Sequence, residues 1–442
     1  MKNRIPNETV EGALADLRDK YLKINPKSAR ASNEAAKYLP GGNTRSVLHY
    51  NPFPLTIVAG KDAEVTDQDG HTYLDCVGEF SAGLYGHSEP AVQRAIIDAL
   101  QDGIVLGGPT VREAELAKVL TDRFQSMELV RFCNSGTEAN LLALVTAITS
   151  TKRKKIMVFD GAYHGGVFAF PSGSAATNVP FEVVLSEYNN IAAAVSTINE
   201  NWGELAAVIV EPVLGAGGNI PAKPEFLQEL RTRTAEYGIL LIFDEVKTSR
   251  LGRGGVQGLF GVRPDITTLG KYIGGGLPTG AFGGRRDLME VYDPRRSDGL
   301  RHAGTFNNNP LTLAAGLAGL TEVFTEAIAD EFLQRSEEFR LRLGADLKRA
   351  GVPIQVTGLG SLWTVHFTNG VINSPSNIPA SSRQIGQLFH MAMLMKGILV
   401  ASRGDIVLSL PMTLNQFARI HSAIVDFAFE YSSLINRAVY PR

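Results

Sequence analysis

Two stretches decide the fold: Ile239-Leu240-Leu241-Ile242-Phe243-Asp244-Glu245-Val246, and after it Thr267-Thr268-Leu269-Gly270-Lys271-Tyr272-Ile273-Gly274-Gly275-Gly276. The first is a short unbroken apolar run closed by acidic residues. That pattern predicts a strand buried on both faces that ends at a polar edge. Working outward, Leu129 to Cys133, Ile156 to Phe159, Ala207 to Val210 and Ile266 to Leu269 repeat it, with helical patterns between them. Several of these runs end at polar or Gly-rich turns. The alternation predicts an α/β domain over residues 61–326 with a mainly parallel central sheet, whose chemistry sits at the strand C-termini.

The flanks read differently. From Asn7 to Tyr38 the pattern is helical and amphipathic, until Pro40-Gly41-Gly42-Asn43 breaks it and Pro52 and Pro54 keep the next stretch extended. Residues 1–60 are therefore expected to be an arm that joins a smaller domain. That α+β domain is expected over residues 327–442, with a charged helix from Glu331 to Ala350, a strand from Ser361 to Phe367 and a last helix near Asn415 to Asn436.

Composition narrows the partners. Lys and Arg number 43 against 45 Asp and Glu, so no global basic field argues for nucleic acid or an anionic membrane. Small molecules are the expected partners. The two cysteines, Cys76 and Cys133, are too few for a disulfide framework and lie in no Cys/His cluster, so they read as small core residues and no metal is expected. The N-terminal residues are polar and mixed in charge, and the apolar runs are too short to span a bilayer. A cytoplasmic protein is expected.

Four constellations carry chemistry. Asn134-Ser135-Gly136-Thr137-Glu138-Ala139-Asn140 lies between a strand and a helical pattern. Free backbone N–H groups, a positive helix end and two hydroxyls suit a phosphate dianion, which makes Ser135, Gly136 and Thr137 candidate ligands. Alone, such a segment is more often an ordinary helix cap; its place relative to Asp244 and Lys271 reverses that preference. Tyr163, in Phe159-Asp160-Gly161-Ala162-Tyr163-His164-Gly165-Gly166, can stack on an aromatic ring, and the glycines allow close approach. Asp244, at a strand end, needs a cation if buried, and a protonated pyridine nitrogen would supply one. Lys271, flanked by Gly270 and by Gly274 to Gly276, has room for a bulky adduct. A lysine amine able to lose its proton, with a carboxylate for a ring nitrogen, is what pyridoxal 5′-phosphate requires. Val246 would lie against the other face of that ring, and Glu211, in Val210-Glu211-Pro212-Val213, ends another strand at the same edge.

Taken in order, Ser135-Gly136-Thr137-Glu138-Ala139-Asn140, Tyr163-His164, Glu211-Pro212-Val213, Asp244-Glu245-Val246 and Lys271 resemble the class III aminotransferases of fold type I. The resemblance runs from about Pro40 to the C-terminus. It implies that Lys271 is the covalent anchor of the cofactor and the proton shuttle, that Asp244 pairs with the ring nitrogen and that Tyr163 stacks on the ring. His164 and Glu211 belong to the same cofactor site. It also implies a homodimer with shared active sites, in which Thr305, in Gly304-Thr305-Phe306, reaches the neighbouring subunit's phosphate. After Asp-Glu-Val this chain has Lys247-Thr248-Ser249-Arg250, where common amine members of the family have a glutamine, then Thr-Gly and an aromatic residue. That departure resembles glutamate-1-semialdehyde aminomutases and the β-amino acid aminotransferases of the same subfamily. Asn43-Thr44-Arg45-Ser46-Val47 and Ala401-Ser402-Arg403-Gly404-Asp405 favour the latter, in which Arg45 would hold the substrate carboxylate and a mobile Arg403 would assist with the α-keto acid. The expected reaction moves the amino group of a β-amino acid, aromatic in character, to 2-oxoglutarate or pyruvate. The rivals are a glutamate-1-semialdehyde 2,1-aminomutase and a non-catalytic binding protein of the same fold, which the paired Lys271 and Asp244 disfavour.

Overall fold

The computed structural model describes residues 9–441, so Asn7, where the first helical pattern begins, lies outside the described residues. A seven-stranded sheet forms the centre. Its spatial order is Leu129–Cys133, Gly280–Gly284, Ile266–Gly270, Leu240–Asp244, Leu205–Val210, Lys155–Phe159 and Glu182–Ser186. Leu240–Asp244 runs parallel to both its neighbours, and Lys155–Phe159 to both of its own. Only Gly280–Gly284 opposes the strands beside it. Leu205–Val210 and Leu240–Asp244 are buried along their whole length, as their unbroken apolar runs require. Helices Gly136–Thr151 and Pro224–Glu236 pack against the sheet.

Two of the seven strands are absent from the sequence reading. Glu182–Ser186 is an edge strand of mixed exposure. Gly280–Gly284, Gly-Ala-Phe-Gly-Gly, has no β-branched residue and poor strand propensity. Close packing explains its composition. A Cβ on Gly280 would lie 2.1 Å from the Ser135 carbonyl oxygen, and one on Gly284 2.3 Å from that of Asp265. The strand admits only glycine at these positions, at Gly280 because it lies under the loop that opens the Gly136–Thr151 helix and at Gly284 because the backbone leading into Ile266–Gly270 crowds it.

The C-terminal part holds the long helix Glu326–Arg349, an antiparallel sheet of Gln355–Leu359, Leu362–His366 and Asp405–Val407, and helices Ala380–Met395 and Leu414–Glu430. The expected last helix is interrupted at Tyr431 and resumes as Ser432–Val439. The arm pattern likewise splits, into Val10–Ile24 and Pro26–Ala35, because Pro26 starts the second helix and cannot continue the first. Helix Val10–Ile24 packs on Ala380–Met395, and the buried Tyr21 ring meets Phe53 at 5.3 Å. Strands Ile57–Lys61, Glu64–Asp67 and Thr72–Asp75 form a separate sheet that Ile398–Leu399 completes by pairing parallel to Thr72–Asp75. Residues beyond position 60 thus join the C-terminal segment as well. Among the described residues no single helix is long and apolar enough to cross a membrane. Cys76 and Cys133 are buried free thiols.

Candidate active site

Strand register brings the motifs together. Asp244 sits level with Thr268 on the neighbouring parallel strand, and Lys271 follows where that strand turns into a short 3-10 segment. Lys271 adopts φ 58°, a left-handed conformation uncommon for a residue with a Cβ. Its successor Tyr272 holds the turn, buried against Phe324 at 5.6 Å and Tyr85 at 6.4 Å. Glycines then record how closely the other segments approach. A Cβ on Gly136 would meet Val246 at 2.6 Å, one on Gly270 would lie 3.3 Å from the Gly136 nitrogen, and one on Gly165 would lie 2.4 Å from the Thr137 hydroxyl. The Ser135–Thr137 turn, the Tyr163–Gly165 turn, Val246 and the Lys271 turn therefore converge on one sheet edge.

Asp244 is buried, and its carboxylate is fully oriented. Oδ2 accepts from Asn140 Nδ2 at 2.8 Å and from His164 Nδ1 at 2.8 Å, while Oδ1 accepts the Val246 N–H at 3.1 Å. Asn140 is itself fixed: it donates to the His164 carbonyl at 2.9 Å and accepts from the Thr268 hydroxyl at 2.6 Å. His164 Nε2 is buried without a hydrogen-bond partner. The ring therefore carries its proton on Nδ1, since the reverse tautomer would bury an unpaired N–H. His164 thus acts on the site through Asp244.

Glu211 also lies beneath the site. Its Oε2 accepts the Tyr163 N–H at 2.9 Å and its Oε1 the Gly215 N–H at 3.1 Å. Burial raises its pKa, against the nearby His164. By holding the Tyr163 backbone it fixes a ring that is itself 49% exposed and free to stack. Lys271 shows the opposite shift. Burial lowers its pKa, with Asp244 and Glu211 opposing and Arg403 and Arg250 assisting, so the amine loses its proton more readily than a surface lysine.

Pyridoxal phosphate fits these residues. The Ser135 side chain caps the sixteen-residue helix Gly136–Thr151 by accepting the Glu138 N–H at 3.1 Å, and the helix's remaining free N–H groups suit a phosphate. A glycine cradle that any Cβ would fill, an exposed aromatic ring, an amine of lowered pKa and an oriented buried carboxylate complete the set.

Arg45 and Arg403, distant in sequence, meet at one ring: each guanidinium carbon lies 5.5 Å from the Phe80 centroid. Arg45 pairs with Glu79, and Arg403 holds Asp405 Oδ2 through Nε at 2.7 Å and Nη2 at 2.6 Å. Burial depresses the Arg403 pKa but Asp405 outweighs it, with help from Glu211 and Tyr163, so the net direction is upward. Phe80 belongs to a turn that the sequence reading missed. Gly78, Glu79, Phe80 and Ser81 all have positive φ, from 48° to 83°. Buried Arg250 clamps this turn by donating to the carbonyls of Ser81 and Leu408. Thr305 is exposed within the single chain, in a loop beside the site where Asn307 accepts from Asn134 at 2.9 Å.

A family model for class III aminotransferases matches residues 46–427. The chain is 46% identical over 429 residues to a beta-phenylalanine transaminase of Variovorax paradoxus, covering 97% of this chain and 99% of that protein. It is 36% identical over 394 residues to a glutamate-1-semialdehyde 2,1-aminomutase of Thermodesulfovibrio yellowstonii, covering 85% and 92%. Among solved structures, a beta-phenylalanine aminotransferase from Variovorax paradoxus matches with a TM-score of 0.95 at 46% identity over 96% of this chain and 99% of that one. A transaminase with PLP bound matches with a TM-score of 0.82 at 30% identity over 93% and 97%. The chain belongs to the class III aminotransferases.

Proposed function

We propose that this aminotransferase takes the amino group from a β-amino acid bearing an aromatic side chain and delivers it to an α-keto acid such as 2-oxoglutarate or pyruvate. The observation that carries this reading is the pair of guanidinium groups on Phe80, beside the edge that holds Lys271 and Asp244. Two separate cations suit a pocket that must accept one carboxylate always and a second only in the dicarboxylate half-reaction. The similarity to beta-phenylalanine transaminase supports the same substrate class.

Pyridoxal phosphate, when bound, supplies the electron sink that makes the substrate's C–H bond acidic. The chain's own residues do the rest. Ser135, Gly136 and Thr137 would hold the phosphate, Tyr163 and Val246 would bracket the ring, and Asp244 would pair with its nitrogen. The lowered pKa of Lys271 lets its amine take a proton from the substrate carbon and hand it back on the other side of the transfer. His164 positions Asp244 and Glu211 positions Tyr163. Arg45 holds the carboxylate of the β-amino acid, while Arg403 receives the second carboxylate of 2-oxoglutarate and withdraws for an apolar side chain.

We further propose a homodimer. Ile104, Val105 and Leu106 are 53%, 73% and 45% exposed, and Phe306, 60% exposed, joins them where Asn308 donates to the Gly108 carbonyl at 3.2 Å. Such an apolar surface calls for a partner, and Phe306 within it is the neighbour of Thr305, which would reach the neighbouring phosphate. The arm and residues 327–442 act together as a small domain, as the packing of Val10–Ile24 on Ala380–Met395 supports, and the pairing of Thr72–Asp75 with Ile398–Leu399 moves its boundary from residue 60 to beyond Asp75.

A spectral titration tests the substrate. β-Phenylalanine should bleach the visible absorbance of the lysine-bound cofactor, and 2-oxoglutarate should restore it. Turnover of glutamate 1-semialdehyde without any keto acid, and no bleaching by β-phenylalanine, would transfer the assignment to the aminomutase.

A further inference from the structure

Behind Arg403 runs a hydrogen-bonded chain that the transfer reaction leaves unused. Lys247 Nζ donates to Asn219 Oδ1 at 2.6 Å, Asn219 Nδ2 donates to Thr364 Oγ1 at 2.8 Å, and the Thr364 hydroxyl donates to Asp405 Oδ1 at 2.8 Å. The other Asp405 oxygen accepts both bonds from Arg403. Every donor points toward the carboxylate, so the chain is polarised in one direction from a cation to an anion. Asn219, Thr364 and Asp405 are each no more than 2% exposed.

We propose that Lys247, through Asn219 and Thr364, is the counter-charge that stabilises Asp405 when Arg403 leaves it, and so sets how readily the pocket admits an aromatic side chain in place of a second carboxylate. The inference rests on the β-amino acid reading, in which Arg403 must withdraw. Once it does, Asp405 is a buried carboxylate whose one side-chain donor is neutral, a state that is strongly disfavoured when no other cation compensates it. Lys247 is the cation placed to do so. Burial lowers its pKa to about 8 while Asp405 opposes and Arg403 and Lys271 assist the shift, with Glu211 also facing it. At neutral pH the charge is therefore still present. The loop between them is built tightly: a Cβ on Gly215 would fall 2.9 Å from Lys247 Cδ, and Asn219 itself takes φ 50°. The Thr357 hydroxyl holds that loop through the Gly218 carbonyl at 2.6 Å. Lys247 is a positioning residue, since it acts through Asp405 on Arg403.

Equilibrium binding to the holoenzyme at pH 7 separates this role from a simple loop tether. The probes are 3-phenylpropionate and glutarate, which resemble the two substrates but have no amine or keto group to react. Lys247→Gln should weaken 3-phenylpropionate about tenfold and leave glutarate within about twofold, and Lys247→Arg should bring 3-phenylpropionate back to within about threefold of wild type. In an Asp405→Asn background the carboxylate that Arg403 would uncover is gone, so adding Lys247→Gln should change nothing further. Retained cofactor absorbance checks the fold of each variant, and Lys247→Met replaces Lys247→Gln if the latter does not fold. Equal weakening of both probes, or of neither, overturns the proposal. A wild-type protein that binds glutarate but not 3-phenylpropionate overturns instead the substrate reading beneath it.

Discussion

Asp244→Asn separates the structural from the chemical role of one residue. Oδ2 takes donors from Asn140 and His164, and Oδ1 takes the Val246 N–H. An amide offers only one acceptor. If its oxygen replaces Oδ2, its NH2 faces the Val246 N–H; if flipped, the NH2 faces two donors. In either orientation a buried donor opposes a donor, which costs about 1–3 kcal/mol. His164 offers no relief, because accepting through Nδ1 would leave a proton on Nε2, which is buried without a partner. The apoprotein should therefore lose about 1–3 kcal/mol of stability in urea. The holoenzyme should suffer a second, larger effect, since the ring nitrogen loses a buried, hydrogen-bonded counter-ion of the kind whose removal costs about 2–5 kcal/mol. At 1.36 kcal/mol per decade, that slows single-turnover bleaching by β-phenylalanine about 30- to 5,000-fold. Cofactor content, measured by absorbance after denaturation, should stay near one per chain because the phosphate and Lys271 are untouched. Bleaching within threefold of wild type would refute the pairing of Asp244 with the ring nitrogen.

Other expectations follow from the same geometry. Burial pushes His390 down to about 4 from 6.5, so the fold refuses a proton that the unfolded chain accepts: its contribution is complete above pH 6.5 and roughly 3 kcal/mol is lost as pH falls to 4. Urea melts of wild type and His390→Gln between pH 4 and 7 should differ in slope, and parallel curves would contradict this. Arg45→Ala should raise KM for β-phenylalanine about 5- to 30-fold, roughly 1–2 kcal/mol, with kcat nearly unchanged, because the Arg45 side chain is 42% exposed and already paired with Glu79. A fall confined to kcat would count against it. Sedimentation should find a dimer at assay concentrations, with Val105→Asp shifting it toward an inactive monomer; an active wild-type monomer would remove the shared-site reading.

What the sequence disclosed and what it hid differ for physical reasons. Unbroken apolar runs placed Lys155–Phe159, Leu205–Val210 and Leu240–Asp244 within a residue or two of their observed ends, because a buried parallel strand has few alternatives. Gly280–Gly284 escaped because its glycines are dictated by the backbone that lies over it, and propensity carries no trace of a neighbour so distant in sequence. Asn140 was quoted within a motif without a role. Its signal was available, however: a polar residue amid Ala139, Leu141, Leu142 and Ala143 in a helix must bond to something once buried. Lys247 and Asp405 stood next to residues singled out for chemistry, but their link runs through Asn219 and Thr364, which only the folded chain brings together.

The turn at Phe80 was the least legible feature, and it shows how this site balances its charges. Left-handed backbone at Glu79, Phe80 and Ser81 costs roughly 1–2 kcal/mol per residue, and no local sequence preference offsets it. Arg250 holds it from the far side through Ser81 and Leu408. What the strain secures is a position: Phe80 beneath both guanidinium groups and Glu79 against Arg45. Each cation of the pocket then has its own anion before substrate arrives, Glu79 for Arg45 and Asp405 for Arg403, while Asp244 and Glu211 act on Lys271. A substrate carboxylate therefore exchanges with Glu79 for Arg45, and its affinity is the difference between two pairings. The same reasoning distinguishes the two arginines. Glu79 is 57% exposed and recovers solvation when displaced, whereas Asp405 is 3% exposed and does not. Arg45 can thus change partners at little cost on every turnover, and Arg403 leaves its partner only where a second cation takes over the charge.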